Sequence, residues 1–209
     1  EADYERAKKV VWGRYIRTHN DIEDLATTFM QYLFMALAVL GMVGVDQWVK
    51  LWVLDNIPLN TAIPGIPGVV SLAYVQNTGA AWSSFQGMIW LFALIFAVFT
   101  GLIIWEFSKK RMPFTTFERW CIAVVFAGGL GNMIDRLRLG YVVDMIEVEF
   151  MNFAVFNVAD SFVCVGAGLM LLWVIRTMIA ETRAQKQAEV APVSAETDEP
   201  AEEATHDGE

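Results

Sequence analysis

GNMIDRLRLGYVVDMIEVEFMNFAVFNVADS, residues 131–161, is the stretch that decides how this chain folds. An apolar stretch at residues 120–134 leads into it, and a second at residues 160–179 leads out of it. Asp135 and Asp144 lie between the two apolar stretches, and Asp160 stands at the start of the second. If both stretches cross a bilayer, these aspartates lie near the membrane surface, where an unpaired carboxylate is costly and marks a candidate functional site.

The composition favours a membrane protein with several spans. The chain has 209 residues, of which 56% are hydrophobic, and its mean hydropathy is +0.41. Most of the formal net charge of -9 comes from the acidic residues after position 180, so it says little about the partners of the apolar part. Few basic residues lie away from the membrane-flanking clusters, which argues against nucleic-acid binding.

Four apolar stretches are interpreted as membrane spans: residues 29–45, 88–107, 120–134 and 160–179. Glycines in two of them are typical of close helix packing, namely Gly41 and Gly44 in the first and Gly128, Gly129 and Gly131 in the third. Lys and Arg fall mainly in the first 27 residues, in the 108–119 loop and after position 175. The positive-inside rule then predicts that both termini are cytoplasmic and that the carboxylate-rich segment is extracytoplasmic.

The connection between the first two spans is not helical throughout, because Pro58, Pro64 and Pro67 interrupt it. Residues 69–75 have β-branched character, and the following Asn77-Thr78-Gly79 is typical of a turn. We therefore expect a small extracytoplasmic β-rich platform between helices 1 and 2. The nearby apolar residues are expected to face lipid or a substrate; they are Ala80, Ala81, Trp82 and Phe85.

The predicted fold is an all-α membrane protein with a small β-sheet and four transmembrane helices. Three regions follow along the chain: a polar, basic lead-in at residues 1–27, a membrane domain at residues 28–180, and a disordered acidic cytoplasmic tail at residues 181–209. The lead-in is interpreted as a solvated, partly helical segment or as a helix on the inner membrane surface.

Neither cysteines nor histidines indicate a metal site or a cofactor. Cys121 and Cys164 both lie in apolar stretches, toward opposite membrane faces, and are expected to be small buried side chains rather than a disulfide. His19 and His206 lie near the termini, and no CxxC motif occurs.

Two polar clusters have the spacing of one helical face. Asn132, Asp135 and Arg136 lie at i, i+3 and i+4, and Asn157 and Asp160 repeat the i, i+3 spacing. Residues 142–146 are expected to be extended because β-branched residues precede Asp144. If the third and fourth spans are antiparallel, Asp144 and Asp160 can face each other.

Two carboxylates that lie so close tend to share one proton. One can then take a proton from water while the other protonates the departing group, as aspartyl peptide hydrolysis requires. The competing interpretation is structural: Asp135 pairs with Arg136 or Arg138 and anchors a helix end. Asp46 and Lys50, at i, i+4, can likewise be a structural clamp or part of a catalytic site.

Five sequence blocks, in order, resemble the bacterial lipoprotein signal peptidase (signal peptidase II) family. They are DQWVK at 46–50, QNTGAAWS at 76–83, GGLGNMIDR at 128–136, GYVVDM at 140–145 and FNVADS at 156–161. The resemblance covers about residues 28–180. It implies an inner-membrane aspartyl protease that cuts the signal peptide from a diacylglyceryl-modified prolipoprotein, just before the lipidated cysteine of the lipobox.

The resemblance also implies roles for particular residues. The catalytic pair would be Asp144 and Asp160, with Asp135 as the rival for the first position. The family positions that bind substrate or shape the site are matched by Asp46, Lys50, Asn77, Gly79, Asn132, Asp135, Arg136 and Asn157. Met145 stands where the family usually has Phe, which changes packing beside Asp144 but removes no chemistry.

The resemblance further implies a multi-pass protein of the bacterial cytoplasmic membrane whose active site faces outward. Its partners would be prolipoprotein substrates, membrane lipid and inhibitors of the globomycin type, and a monomer is expected. Two other classes stay open on the residues alone. A proton-coupled transporter would carry its ionisable groups nearer the bilayer midplane, and in a catalytically silent scaffold the acidic residues would be dispensable.

Overall fold

The computed structural model describes residues 2–79, 87–109 and 114–195. The predicted lipid- or substrate-facing residues Ala80, Ala81, Trp82 and Phe85 lie outside these ranges, as do residues 196–209. The chain divides into two compact units, Glu1–Ala167 and Gly168–Glu209. All the candidate site residues belong to the first unit, and the second contains the C-terminal part of the last helix.

Four helices and three strands make up the described ranges. In chain order they are α1 (Ala2–Asn56), β1 (Ala62–Ile66), β2 (Val70–Asn77), α2 (Ile89–Lys109), α3 (Thr116–Leu139), β3 (Val142–Val148) and α4 (Val158–Ala195). Each helix contains a stretch that is long and apolar enough to cross a membrane: Asp24–Asn56, Ile89–Glu106, Thr116–Leu139 and Val158–Gln187. The prediction of four membrane helices is therefore confirmed, while the orientation of the termini stays a prediction.

The helices run further than the hydropathy pattern indicated. The lead-in is part of one continuous helix, α1, which also continues past the predicted end of the first span to Asn56. At the other end, α4 reaches Ala195, so residues 181–195 are helical where disorder was predicted. Eight of the nine residues at 181–189 are Glu, Arg, Ala, Gln or Lys, which are good helix formers even where no core is available.

The sheet is antiparallel, in the order β1-β2-β3. β1 and β2 form a hairpin that turns at Gly68, whose φ of 74° lies in the left-handed region open to glycine. β3 pairs with β2 so that Asn77 lies opposite Val142 and Val75 opposite Asp144. The prediction placed the sheet between helices 1 and 2; its third strand is β3, which lies between α3 and α4 and covers the residues 142–146 that were expected to be extended.

A small apolar core joins the end of α1 to the sheet. It consists of Val53, Ile57, Tyr74, Val143 and Met145, and Met145 is fully buried. Val143 and Met145 flank Asp144 on β3, so their burial fixes the strand on either side of that residue. The unusual Met at position 145 fills this core without a polar atom to satisfy.

Close packing of α3 against the start of α4 depends on Gly128. A Cβ there would collide with the backbone carbonyl oxygen of Ala159 and would lie 2.7 Å from Cγ2 of Val163. Gly131 is equally constrained, because a Cβ would come within 2.6 Å of the Asp46 carboxylate. The predicted packing role is confirmed for these glycines, but it is wrong for Gly41 and Gly44, where a Cβ would meet nothing within 4 Å.

The two cysteines are free thiols, as expected. Cys121 is buried, but Cys164 is exposed on α4, so the expectation that both are buried is wrong for Cys164. An apolar sequence context does not distinguish a core-facing side chain from one on the outer surface of a membrane helix.

Gly128→Ala is expected to lower the melting temperature of the detergent-purified protein by several degrees. The added methyl group forces α3 away from the backbone of α4, and such overpacking costs about 1–3 kcal/mol. Gly101→Ala in α2 is the matched control, since a Cβ there meets nothing within 4 Å. Equal melting temperatures for the two variants would contradict the role assigned to Gly128.

Candidate active site

The end of α3 and the start of β3 lie side by side. α3 begins with a capping box formed by Thr115 and Glu118 and ends at Gly140, whose φ of 81° permits a left-handed cap. The backbone N–H of Val143, on β3, then donates to Oδ2 of Asp135 at 3.1 Å. This bond ties the start of the strand to the last turn of the helix, next to Asp144.

Asp144 is 2% exposed and is held by two side-chain amides. Asn77 donates from Nδ2 to its Oδ2 at 2.9 Å, and Asn157 donates from Nδ2 to its Oδ1 at 2.7 Å. The amide of Asn77 is itself fixed, because its Oδ1 accepts the backbone N–H of Gly79 at 2.9 Å. The predicted turn at residues 77–79 therefore presents a donor to the carboxylate.

Asp160 lies in the first turn of α4 and takes part in a reciprocal cap. Oδ1 of Asn157 accepts the backbone N–H of Asp160 at 2.9 Å, while Oδ2 of Asp160 accepts the backbone N–H of Asn157 at 3.3 Å. The other carboxylate oxygen, Oδ1, accepts from Nδ2 of Asn132 at 2.7 Å. The side chain of Asp160 is half-buried.

Asn132 and Asn157 connect the two carboxylates. Nδ2 of Asn157 donates both to Asp144 and, at 3.0 Å, to Oδ1 of Asn132, whose own Nδ2 reaches Asp160. Asp144 and Asp160 thus lie in one hydrogen-bonded cluster.

The pKa of Asp144 is raised to about 6. Burial is the main cause, since it disfavours the charged carboxylate, and the nearby negative charge of Asp160 raises the pKa further. The hydrogen bonds from Asn77 and Asn157 and the charge of Lys50 act in the opposite direction. A proton is therefore held on Asp144 at pH values where an ordinary aspartate is ionised.

A buried ion cluster lies on the α1 side of these residues. Nζ of Lys50 is 2.9 Å from Oδ2 of Asp46 and 2.9 Å from Oδ2 of Asp135, and all three side chains are at most 2% exposed. The predicted i, i+4 pair of Asp46 and Lys50 is confirmed. The competing interpretation, in which Asp135 pairs with Arg136 or Arg138, is wrong: its partner is Lys50, on another helix.

Arg136 is directed to the turn that follows β2. Its Nη2 donates to the carbonyl oxygen of Gly79 at 2.8 Å, and its guanidinium carbon lies 4.3 Å from the centre of the Phe92 ring. The side chain is half-buried. Arg136 therefore links α3 to Gly79, in the turn after β2. Part of its side chain stays accessible.

Sequence reasoning missed Gln47. Its Nε2 lies 2.9 Å from Oδ1 of Asp135, 3.2 Å from Oδ2 of Asp46 and 3.2 Å from the carbonyl oxygen of Gly131. The residue stands inside the DQWVK block, so its place beside Asp46 was available as a signal. The i, i+4 spacing predicted a contact between Asp46 and Lys50 only, and it gave no reason to include Gln47.

The geometry defines a class of protein. Four membrane-type helices and strand β3 bring together two carboxylates linked through amides, a buried lysine and a half-buried arginine. The class is a multi-pass membrane protein with a paired-carboxylate site at the ends of its helices.

Comparison with known proteins identifies the family. The family model described as Signal peptidase (SPase) II matches residues 37–176. A lipoprotein signal peptidase of Streptococcus thermophilus (strain CNRZ 1066) is 42% identical over 146 residues, which cover 68% of this chain and 93% of that protein. One from Streptococcus pyogenes serotype M2 (strain MGAS10270) is 40% identical over 143 residues, with the same coverage of both proteins.

Solved structures agree with this result. One described as a bacterial membrane enzyme at 2.3 Å resolution has a TM-score of 0.64 and 28% identity, covering 69% of this chain and 88% of that one. A second, at 1.9 Å resolution, has a TM-score of 0.60 and 29% identity, covering 67% and 91%. The chain belongs to the signal peptidase II family. It is therefore a multi-pass membrane protein and a protease, which is a kind of hydrolase.

Proposed function

We propose that this protein is an aspartyl lipoprotein signal peptidase. It hydrolyses the signal peptide of diacylglyceryl-modified prolipoproteins at the bond just before the lipidated cysteine of the lipobox. The observation that carries the proposal is the link between Asp144 and Asp160 through the amides of Asn132 and Asn157. Relatives at about 40% identity are named lipoprotein signal peptidases, which supports the choice of substrate.

The proposed reaction uses one water and one shared proton. Asp160 takes a proton from the water, whose oxygen attacks the carbonyl carbon of the scissile peptide bond. Asp144 holds the shared proton, because its pKa is raised to about 6, and supplies it to the departing amine as the C–N bond breaks. The proton taken up by Asp160 restores the shared proton after the products leave.

The other candidate residues fall into two groups by burial. Arg136, Asn77 and Gly79 form a half-buried to buried edge beside Asp144, which fits a role in holding the substrate backbone. Asp46, Lys50 and Asp135 are at most 2% exposed, and Lys50 forms an ion pair with each of the two aspartates. For these three we propose that they shape the site without contacting the substrate.

The proposed location is the bacterial cytoplasmic membrane, with both termini cytoplasmic and the site extracytoplasmic. The distribution of Lys and Arg along the chain supports this orientation. The sheet then lies at the outer surface, where the signal peptide enters from the lipid. The protein acts as a monomer within this proposal.

Cleavage of a synthetic lipobox peptide tests the proposal. The detergent-purified chain is expected to cut a diacylglyceryl-modified peptide just before the modified cysteine, and the same peptide without the lipid much more slowly. Globomycin at saturation is expected to stop the reaction. Mass spectrometry of the products locates the cut. Absence of cleavage, or turnover unchanged by globomycin, would contradict the proposed function.

A further inference from the structure

The ammonium group of Lys50 has its hydrogen-bonding capacity fully used inside the protein. A lysine ammonium has three donors and no acceptor. Its Nζ lies 2.9 Å from Oδ2 of Asp46, 2.9 Å from Oδ2 of Asp135 and 3.1 Å from Oδ1 of Asn132. Two contacts are ion pairs, and the third goes to the amide that reaches Asp160. Lys50 is 2% exposed, so its effect on the reaction has to pass through these neighbours.

The contact with Asn132 settles which way that amide points. An asparagine amide presents an acceptor on one side and donors on the other, and it could in principle be turned by 180°. Lys50 can only donate, so it requires the oxygen on its own side, and Nδ2 of Asn157 donates to the same oxygen at 3.0 Å. The NH₂ group of Asn132 is thereby directed at Asp160, where Nδ2 donates to Oδ1 at 2.7 Å.

The amide of Asn157 is fixed independently. Its Oδ1 accepts the backbone N–H of Asp160, a donor that cannot change into an acceptor, so its Nδ2 is left for Asp144 and Asn132. Each of the two carboxylates thus accepts a hydrogen bond from an asparagine amide. The orientation of each amide is set by a group that can only donate hydrogen bonds. For Asp160 that group is Lys50, which acts on the oxygen of Asn132 together with Nδ2 of Asn157.

We propose that Lys50 is a positioning residue for the reaction: acting through Asn132, it holds the carboxylate of Asp160 in the place that proton sharing with Asp144 requires. This inference rests on the proposed peptidase function. A lysine that served only as a clamp between α1 and α3 would affect stability and leave the turnover of the folded enzyme unchanged. The value of kcat per folded enzyme therefore distinguishes the two roles: a positioning residue changes it, and a structural clamp does not.

A double-mutant cycle on the full chain tests the proposal, with the diacylglyceryl-modified lipobox peptide as substrate. Lys50→Met is expected to lower kcat about 100-fold with little change in KM, because a small misplacement of a catalytic group has an effect of that order. Asn132→Ala should lower kcat at least as much. If Lys50 acts through Asn132, the double variant is no slower than Asn132→Ala alone.

Three further variants keep the test decisive if Lys50→Met folds poorly. Lys50→Arg keeps a donor-only cation and should recover about tenfold of the lost kcat. Asn132→Asp keeps the acceptor for Lys50 but removes the donor to Asp160, and should be as slow as Lys50→Met. Met35→Ala is the stability control, since Met35 is buried and lies about 22 Å along α1 from Lys50.

The outcomes are distinct. Parental kcat in Lys50→Met or in Asn132→Asp, with only the melting temperature lowered as in Met35→Ala, would overturn the positioning role. So would a double variant whose loss equals the product of the two single losses. Failure of the parent chain to cleave the peptide would instead overturn the proposed function, and this inference with it.

Discussion

Asp160→Asn is expected to reduce peptide cleavage by at least about 10³-fold, and Asp144→Asn by a similar factor. Each substitution keeps the size of the side chain but removes a group that takes up or supplies a proton, and general acid–base catalysis contributes factors of this order. Losses from two groups that act as one unit are not additive, so the double variant should be little slower than either single one.

The measurement is kcat for the lipobox peptide, with the melting temperature recorded for each variant. Glu147→Gln is a matched control on the same strand as Asp144: its carboxylate accepts from Ser71 at 3.1 Å and lies outside the paired-carboxylate site. The control should cleave at the parental rate. If either aspartate variant kept more than about a tenth of the parental kcat, the assignment of the pair would be wrong.

Raising the pH through about 6 is expected to lower kcat/KM, by about tenfold per pH unit above that point. The direction follows from the raised pKa of Asp144, which burial and the charge of Asp160 bring to about 6. Below this pH Asp144 keeps the proton that the departing amine needs. Above it Asp144 loses that proton, and the general acid is missing.

Asn77→Ala is expected to shift the fall of kcat/KM with rising pH to a higher pH. The hydrogen bond from Asn77 stabilises the charged form of Asp144 and lowers its pKa, so its removal should shift the fall in activity to higher pH. Ser71→Ala, on the same strand as Asn77 but paired with Glu147, should leave the midpoint in place. A midpoint that moved down in Asn77→Ala, or a rate that rose with pH through 6, would contradict the role of Asp144.

The sequence was informative where one physical rule dominates. Hydropathy predicted four membrane helices, and the β-branched residues before Asp144 predicted its strand. The i, i+3 spacing of Asn157 and Asp160 anticipated that they lie together at the start of α4, where they form the reciprocal cap. In each case the signal lies within a few residues of the chain, so local rules were sufficient.

The sequence was less informative about contacts between distant segments. Asp135 pairs with Lys50 on another helix, although Arg136 and Arg138 are nearer in sequence. β1 contains Pro64 and Gly65, which disfavour a strand, yet pairing with β2 stabilises it at the edge of the sheet. Glycine spacing could not tell Gly128, which meets another backbone, from Gly41, which meets nothing. These differences arise from tertiary packing.

The most direct test of the paired carboxylates is the pKa of Asp144 itself, read from infrared difference spectra of its carboxyl group between the parent chain and Asp144→Asn. We predict a midpoint near pH 6 in the parent and a lower one in Asp160→Asn, because the negative charge of Asp160 raises the pKa of Asp144. The same midpoint in both proteins would mean that the two carboxylates do not influence each other, which would contradict the account.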